Sequence, residues 1–194
     1  MEYKDIISNV KVYGLYESIK AAKYPFAKDV AKVADGITPT IERLAVNPIG
    51  SGHDNFLGGI IVQFDLTFSQ KAWTELQRYH FIDFVSSQST MHCITGFDID
   101  KMCNAYVSDL TKSYLKRAIE GYKKTYDEED FLKILYNIPA GLCLTARMTT
   151  NYRQLKTIYS QRKNHRLPEW RAFCAWCKTL PRSEFICGVG GEKE

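Results

Sequence analysis

The stretch that decides the reading of this chain is Asn151-Tyr152-Arg153-Gln154-Leu155, which runs on through Arg162 to His165 and Trp170. If the residues from Asn151 are helical, then Asn151, Leu155, Ile158 and Arg162 fall on one stripe, because their spacing follows the roughly 3.6-residue turn. At a rise of about 1.5 Å per residue the stripe separates Asn151 from Arg162 by about 16 Å. That is too far to grip one small anion. It suits opposite parts of an extended ligand, such as a nucleotide beside a cofactor, with Arg162 offering a planar fork of donors to a carbonyl edge or phosphate. The same stripe also reads as the core face of a solvated basic helix, with Leu155 and Ile158 turned inward.

Charge sharpens the first reading. Between Arg147 and Arg182 the chain carries nine Lys or Arg and a single acid, Glu169, yet its net charge is only +4, so the remainder is net negative. A basic segment of this kind points to an anionic partner. The 194 residues suffice for one domain, 1–194, that buries a core without disulfides or structural metal. With 45% hydrophobic and 25% charged residues the composition is that of a soluble globular chain. No run approaches the roughly 20 apolar residues that span a bilayer. Met1-Glu2-Tyr3-Lys4-Asp5 lacks the basic start and apolar stretch of a signal peptide, so a cytoplasmic location is expected. There Cys93, Cys103, Cys143, Cys174, Cys177 and Cys187 are expected as reduced thiols.

Residues 1–50 read as an irregular lead, with a β-like run over Val10–Tyr13 and helical stretches over Ser18–Lys23 and Ala27–Val33. Asn47-Pro48-Ile49-Gly50, continuing to Asn55, is a loop. Ile60, Val62, Phe64, Leu66 and Phe68 alternate with their neighbours at the period of a half-buried strand. Helices are predicted over Gln70–His80 and Asp98–Tyr122. A third starts at a capping box formed by Thr125 and Glu128 and ends before Pro139. Leu142, Leu144 and Ala146 then mark a second strand within Ala140–Thr149. The whole is a mixed α/β domain.

The run Asn151-x-Arg153-x-Leu155, then Arg162, His165 and Trp170, resembles the C-terminal signature of flavin-dependent thymidylate synthases, and especially short, phage-borne members. Pro139 sits where that family opens the strand feeding the helix. Gly52-His53-Asp54, followed by a strand and a helix, resembles the family's approach to its defining motif, and the matching order covers residues 50–170. The resemblance implies the thymidylate synthase-complementing fold, an antiparallel-containing sheet flanked by helices, and a homotetramer with active sites between subunits. It implies FAD as cofactor and reductive methylation of deoxyuridylate, with NADPH and methylenetetrahydrofolate as co-substrates. No protein nucleophile is required; the protein positions and polarises. Carried over by position, the resemblance assigns His53, His80, Asn151, Arg153 and His165 to the flavin, and Arg162, with Gln88, Ser89 and Arg147, to the nucleotide.

The defining motif itself is altered. Over Tyr79-His80-Phe81 and on to Met91, His80 and Ser89 match, whereas Tyr79, Phe81 and Met91 stand where the family has arginines. Leu135 replaces a further arginine. Each change removes a full charge and several donors that would meet phosphate, leaving Lys133, Arg147 or Arg153 to meet it. A homologue that stores or sequesters a nucleotide without turnover is therefore the alternative, and nucleic-acid binding, with no recognised motif behind it, the third reading. Cys174-Ala175-Trp176-Cys177 has zinc or redox spacing but no second pair to complete a site, and reads better as buried thiols on a helix. His80 and His92 are expected as ordinary histidines apart from the resemblance, and Asp98, Asp100 and Asp109 as helix-capping or solvated acids.

Overall fold

The alternation over residues 60–68 does become a strand, and it lies inside the sheet. The computed structural model describes residues 1–188. In chain order its elements are β1 (Ile7–Tyr13), α1 (Leu15–Ala21), α2 (Pro39–Val46), β2 (Ile61–Ser69), α3 (Gln70–Leu76), β3 (Asp83–Ser87), α4 (Thr90–Cys93), α5 (Ile99–Met102), α6 (Asp109–Thr125), α7 (Glu128–Tyr136), β4 (Cys143–Asn151), α8 (Tyr152–Arg162), α9 (Pro168–Cys177) and α10 (Glu184–Cys187). The four strands form one sheet in the order β1-β2-β4-β3. Asp65 faces Arg147 and Thr67 faces Thr145, so two steps forward on β2 match two steps back on β4 and the pair is antiparallel. The fold is thus mixed α/β with an antiparallel sheet and helices.

Two compact units can be distinguished, and β2, β3 and β4 contribute residues to both. The first comprises residues 1–65, 80–84 and the chain from 147. Val62 and Phe64 of β2 are fully buried there, with Leu155, Ile158, Trp170 and Phe173. Phe64 packs 4.5 Å from Trp176 and 6.0 Å from Phe173, centroid to centroid, in the tilted and edge-on arrangements that aromatic quadrupoles favour. Helix α2 fills part of the lead that reads as irregular from sequence: the Thr38 hydroxyl accepts from Ile41 N and Pro39 occupies the first turn, where its missing N–H costs nothing.

The second unit comprises residues 66–79 and 85–146. Here α6 and α7 form a helical hairpin over Ile94, Ile99, Leu115, Ile119, Ile134 and Leu142, all buried. The helix predicted over Asp98–Tyr122 is in fact two. Cys103 leaves α5 to bridge Leu142, Asn104 N donates to Gly141 O at 2.9 Å, and Ser108 starts α6 by accepting from Thr111 N. Gly141 permits this approach, since a Cβ there would lie 2.5 Å from Val107 Cγ2. The cap of α7 is Asp127, which accepts from Glu129 N and Asp130 N, and Thr125 instead ends α6, with Tyr126 in the left-handed region at φ 51°. Helix α3 stops at Leu76, short of the predicted His80, and Ala27–Val33 holds only a turn of 3-10 helix over Val30–Lys32.

Candidate functional site

Helix α8 begins where β4 ends because Asn151 is its cap: Oδ1 accepts from Gln154 N at 3.0 Å. Asn151 therefore stands just before the helix rather than on its stripe, while Leu155 and Ile158 are fully buried, so the stripe faces the core. One turn in, Lys156 is buried too, only 8% exposed. Its ammonium donates to Ala45 O at 2.8 Å, Asn47 O at 2.5 Å and Asp54 Oδ2 at 2.9 Å. Three acceptors satisfy three donors, which is what an ammonium removed from water requires.

Asp54 is 1% exposed and faces two cations. Lys156 holds one oxygen, while Arg153 Nε stands 3.4 Å from the other, at ion-pair distance but outside hydrogen-bond geometry. Sequence reading missed this charge cluster. Its only visible trace is an acid, Asp54, closing a turn-rich loop that nothing local explains. His53, the neighbour assigned to the flavin, is exposed, as is His80.

At the other end of α8 the Arg162 guanidinium lies 4.8 Å over the ring of the fully buried Trp170. His165 meets the same ring edge-on, its centroid 6.3 Å away, and His165 Nδ1 accepts from Leu167 N at 3.2 Å. Arg171 locks the turn beneath them by donating 2.7 Å bonds to both His165 O and Arg166 O. Trp170 thus fixes a planar cation and an imidazole on one apolar platform, a pairing suited to the edge of a heteroaromatic ring.

Two further cations, Arg147 and Lys133, are paired. Arg147 Nη1 donates to Asn9 O at 2.7 Å and Asp65 Oδ1 at 3.2 Å, and Asn9 Nδ2 donates to the other Asp65 oxygen. These contacts, led by the Asn9 hydrogen bond, hold the Asp65 carboxyl below its ordinary pKa. Asn9 adopts φ 51° to make them. Lys133 pairs with Glu129 at 3.3 Å and Asp130 at 3.2 Å. Both of these cations, which could meet a phosphate in place of the missing arginines, are thus paired with acids. Gln88, in the second unit, completes the sheet: its N–H donates to Thr145 O at 2.9 Å and its Oε1 accepts from Thr145 N at 2.8 Å. Ser89 caps the short α4 position without a side-chain bond.

Among the described residues no group of three or more His, Cys, Asp or Glu is placed to hold a metal. Burial pushes the Cys174 thiol up to about 12 and Cys187 up to about 11, and raises Cys177 as well. Thiols in that range are neutral near neutral pH and poor nucleophiles.

No family model and no curated protein sequence matches the chain. Solved structures do match its fold. Thymidylate synthase X from Helicobacter pylori with FAD and dUMP aligns with a TM-score of 0.64 at 15% identity, covering 93% of this chain and 94% of the other. A second structure of the flavin-dependent enzyme ThyX from Helicobacter pylori, complexed with FAD and dUMP, aligns with a TM-score of 0.63 at 16% identity, covering 93% and 95%.

Proposed function

We propose that the protein binds a pyrimidine nucleotide and FAD and carries out the reductive methylation of deoxyuridylate. The observation that carries this reading is the meeting of Arg162 and His165, which the resemblance ties to the pyrimidine and the flavin, on the one ring of Trp170. The fold shared with structures that contain FAD and dUMP supports it.

The residues present fit a flavin in part. Asn151 spends only its Oδ1 on the helix cap and keeps its amide donors, and Arg153 remains partly exposed beside Asp54, so both have donors for a ring's carbonyl edge. His53 and His80 are exposed and could approach it. The diphosphate is less well provided, because Tyr79, Phe81 and Met91 bring no charge. A bound flavin would supply the hydride chemistry. Lys156 and Asp54 keep α8 and the loop before β2 fixed, so Arg153 is presented at little entropic cost. Arg162, over the Trp170 ring, is the group that would meet the base, and His165 stands beside it on the same ring.

Purified protein that is yellow, or that binds added FAD and consumes NADPH when given deoxyuridylate and methylenetetrahydrofolate, supports this function; colourless protein without flavin affinity overturns it. Nucleotide storage without turnover is the second reading, favoured by the loss of charge at Tyr79, Phe81 and Met91. Mass spectrometry of small molecules released on denaturation separates the two: an intact nucleotide with no turnover in the same preparation favours storage. The same family reading carries the homotetramer, which light scattering checks.

A further inference from the structure

We propose that the N-terminal part of the chain carries a binding site for an aryl acid, a flat ring bearing a carboxylate, sulfonate or phosphate. This goes beyond the nucleotide and flavin reading: it shares His53 with that reading but rests on Phe26, Leu44, Phe56 and the neighbouring lysines. Two cavities meet at Phe26. One, of about 550 Å³, is walled by Pro25, Phe26, Leu44 and Phe56, with His53 and Asn55 as polar groups at its margin. The other, of about 510 Å³, shares Phe26 and is lined by Lys23, Lys28 and Lys32 with a single acid, Asp29. Both volumes lie within the span of small-molecule sites, and an apolar chamber with few placed polar groups is their usual make-up.

The walls are tied down. Lys23 Nζ donates to Ala34 O at 2.7 Å and Lys20 pairs with Asp35 at 3.2 Å, closing the 20–35 segment at two points. Lys156 grips Ala45 O and Asn47 O on the far side, in the segment that leads to His53. Asp29 is already occupied: it accepts from Ala31 N at 3.0 Å and pairs with Lys32 at 3.6 Å. Lys28 has no ion-pair partner among the described residues. The open, lysine-lined hollow thus keeps a net positive charge beside the apolar cavity, and Phe26, 83% exposed, stands at their shared rim. A ring seated against Phe26, Leu44 and Phe56 would place its acid group among the lysines, combining apolar burial with charge-assisted hydrogen bonds.

The probe is 8-anilinonaphthalene-1-sulfonate, titrated into the full chain without added flavin and followed by its blue-shifted emission. One saturable site is expected, weakening with rising salt as the sulfonate–lysine attraction is screened. Phe26→Ala, and separately the combined Lys23→Gln, Lys28→Gln and Lys32→Gln variant, should each raise the dissociation constant about tenfold or more. Leu110→Ala, which alters an exposed apolar residue of α6, should leave it unchanged. Phe26 is a surface residue, so its variant keeps the fold and the test stays decisive. Absent or non-saturable binding overturns the site, as does binding indifferent to Phe26→Ala or to the lysine changes, or binding lost with Leu110→Ala. Because the dye is read without flavin, a protein that never binds FAD would sink the proposed function and leave this site standing.

Discussion

Residues 151–170 and 79–91, which the family resemblance places around the same ligands, are built on opposite terms. In the first stretch the residues that the resemblance assigns to ligands are tied to groups that hold the fold: Asn151 caps α8, Arg153 shares Asp54 with the buried Lys156, and Arg162 lies over the buried Trp170. In the second, β3 is exposed along its whole length and Tyr79, His80, Phe81 and Met91 are at most half-buried. Substitution in an exposed segment typically changes stability by less than about 0.5 kcal/mol, whereas losing a buried charge partner removes several. Substitution is therefore cheap for the fold through 79–91 and expensive through 151–170. A retained residue in the second stretch would say more about ligand binding than one in the first, where the fold alone accounts for retention.

The comparison breaks first at Asp54. Asp54→Ala leaves the Lys156 ammonium buried without its counter-charge and should cost about 3–5 kcal/mol. Urea unfolding measures it, and a loss under about 1 kcal/mol would mean that this stretch is not held by its charges. Restoring the missing charges, with Tyr79→Arg, Phe81→Arg and Met91→Arg together, should change stability little and tighten FAD binding by about tenfold or more, as charge-assisted bonds to phosphate do. Flavin fluorescence quenching reads it, and unchanged affinity would remove 79–91 from the ligand site. Arg162→Lys keeps the charge but loses the planar fork and its stacking, so nucleotide affinity by calorimetry should fall about tenfold while the melting temperature moves little.

Smaller effects lie at the sheet and the thiols. The Asp65 carboxyl is held below its ordinary pKa, chiefly by Asn9 and then by Arg147, so its contribution is present above the unfolded carboxylate range. It is lost as the pH falls through the lower folded value. The pair is partly exposed and screened, hence Asp65→Asn should flatten the acid limb of stability by no more than about 1 kcal/mol. Equal acid sensitivity in wild type and variant would refute that. In native protein near neutral pH, a thiol reagent should modify the exposed Cys93 quickly and Cys174 and Cys177 only on unfolding; rapid reaction of all three would show that α9 opens readily.

What could be read from sequence was set by range. The Ile60–Phe68 alternation, the Asn151 helix start and the inward face of Leu155 and Ile158 are local patterns, and each appears in the structure. The break between α5 and α6 was illegible because it answers to Leu142 and Gly141, some forty residues downstream. Likewise Lys156 reads as one more cation on a basic helix, since the carbonyls and carboxylate that bury it lie more than a hundred residues earlier. Arg162, His165 and Trp170 are close enough in sequence for the platform to be suspected, but only packing brings the guanidinium over the indole and the imidazole to its edge.

That sequence distance also orders the birth of the molecule. Helix α2 and the loop carrying Asp54 leave the ribosome early, while the ammonium they enclose arrives only after β4 and the first turn of α8 have been made. Until then Asp54 has nothing to pair with and its loop has nothing to close upon. Closure over so long an intervening chain is slow. Asp54 thus waits through about a hundred residues of synthesis for its lysine, and the loop that carries it can close only once α8 has been made.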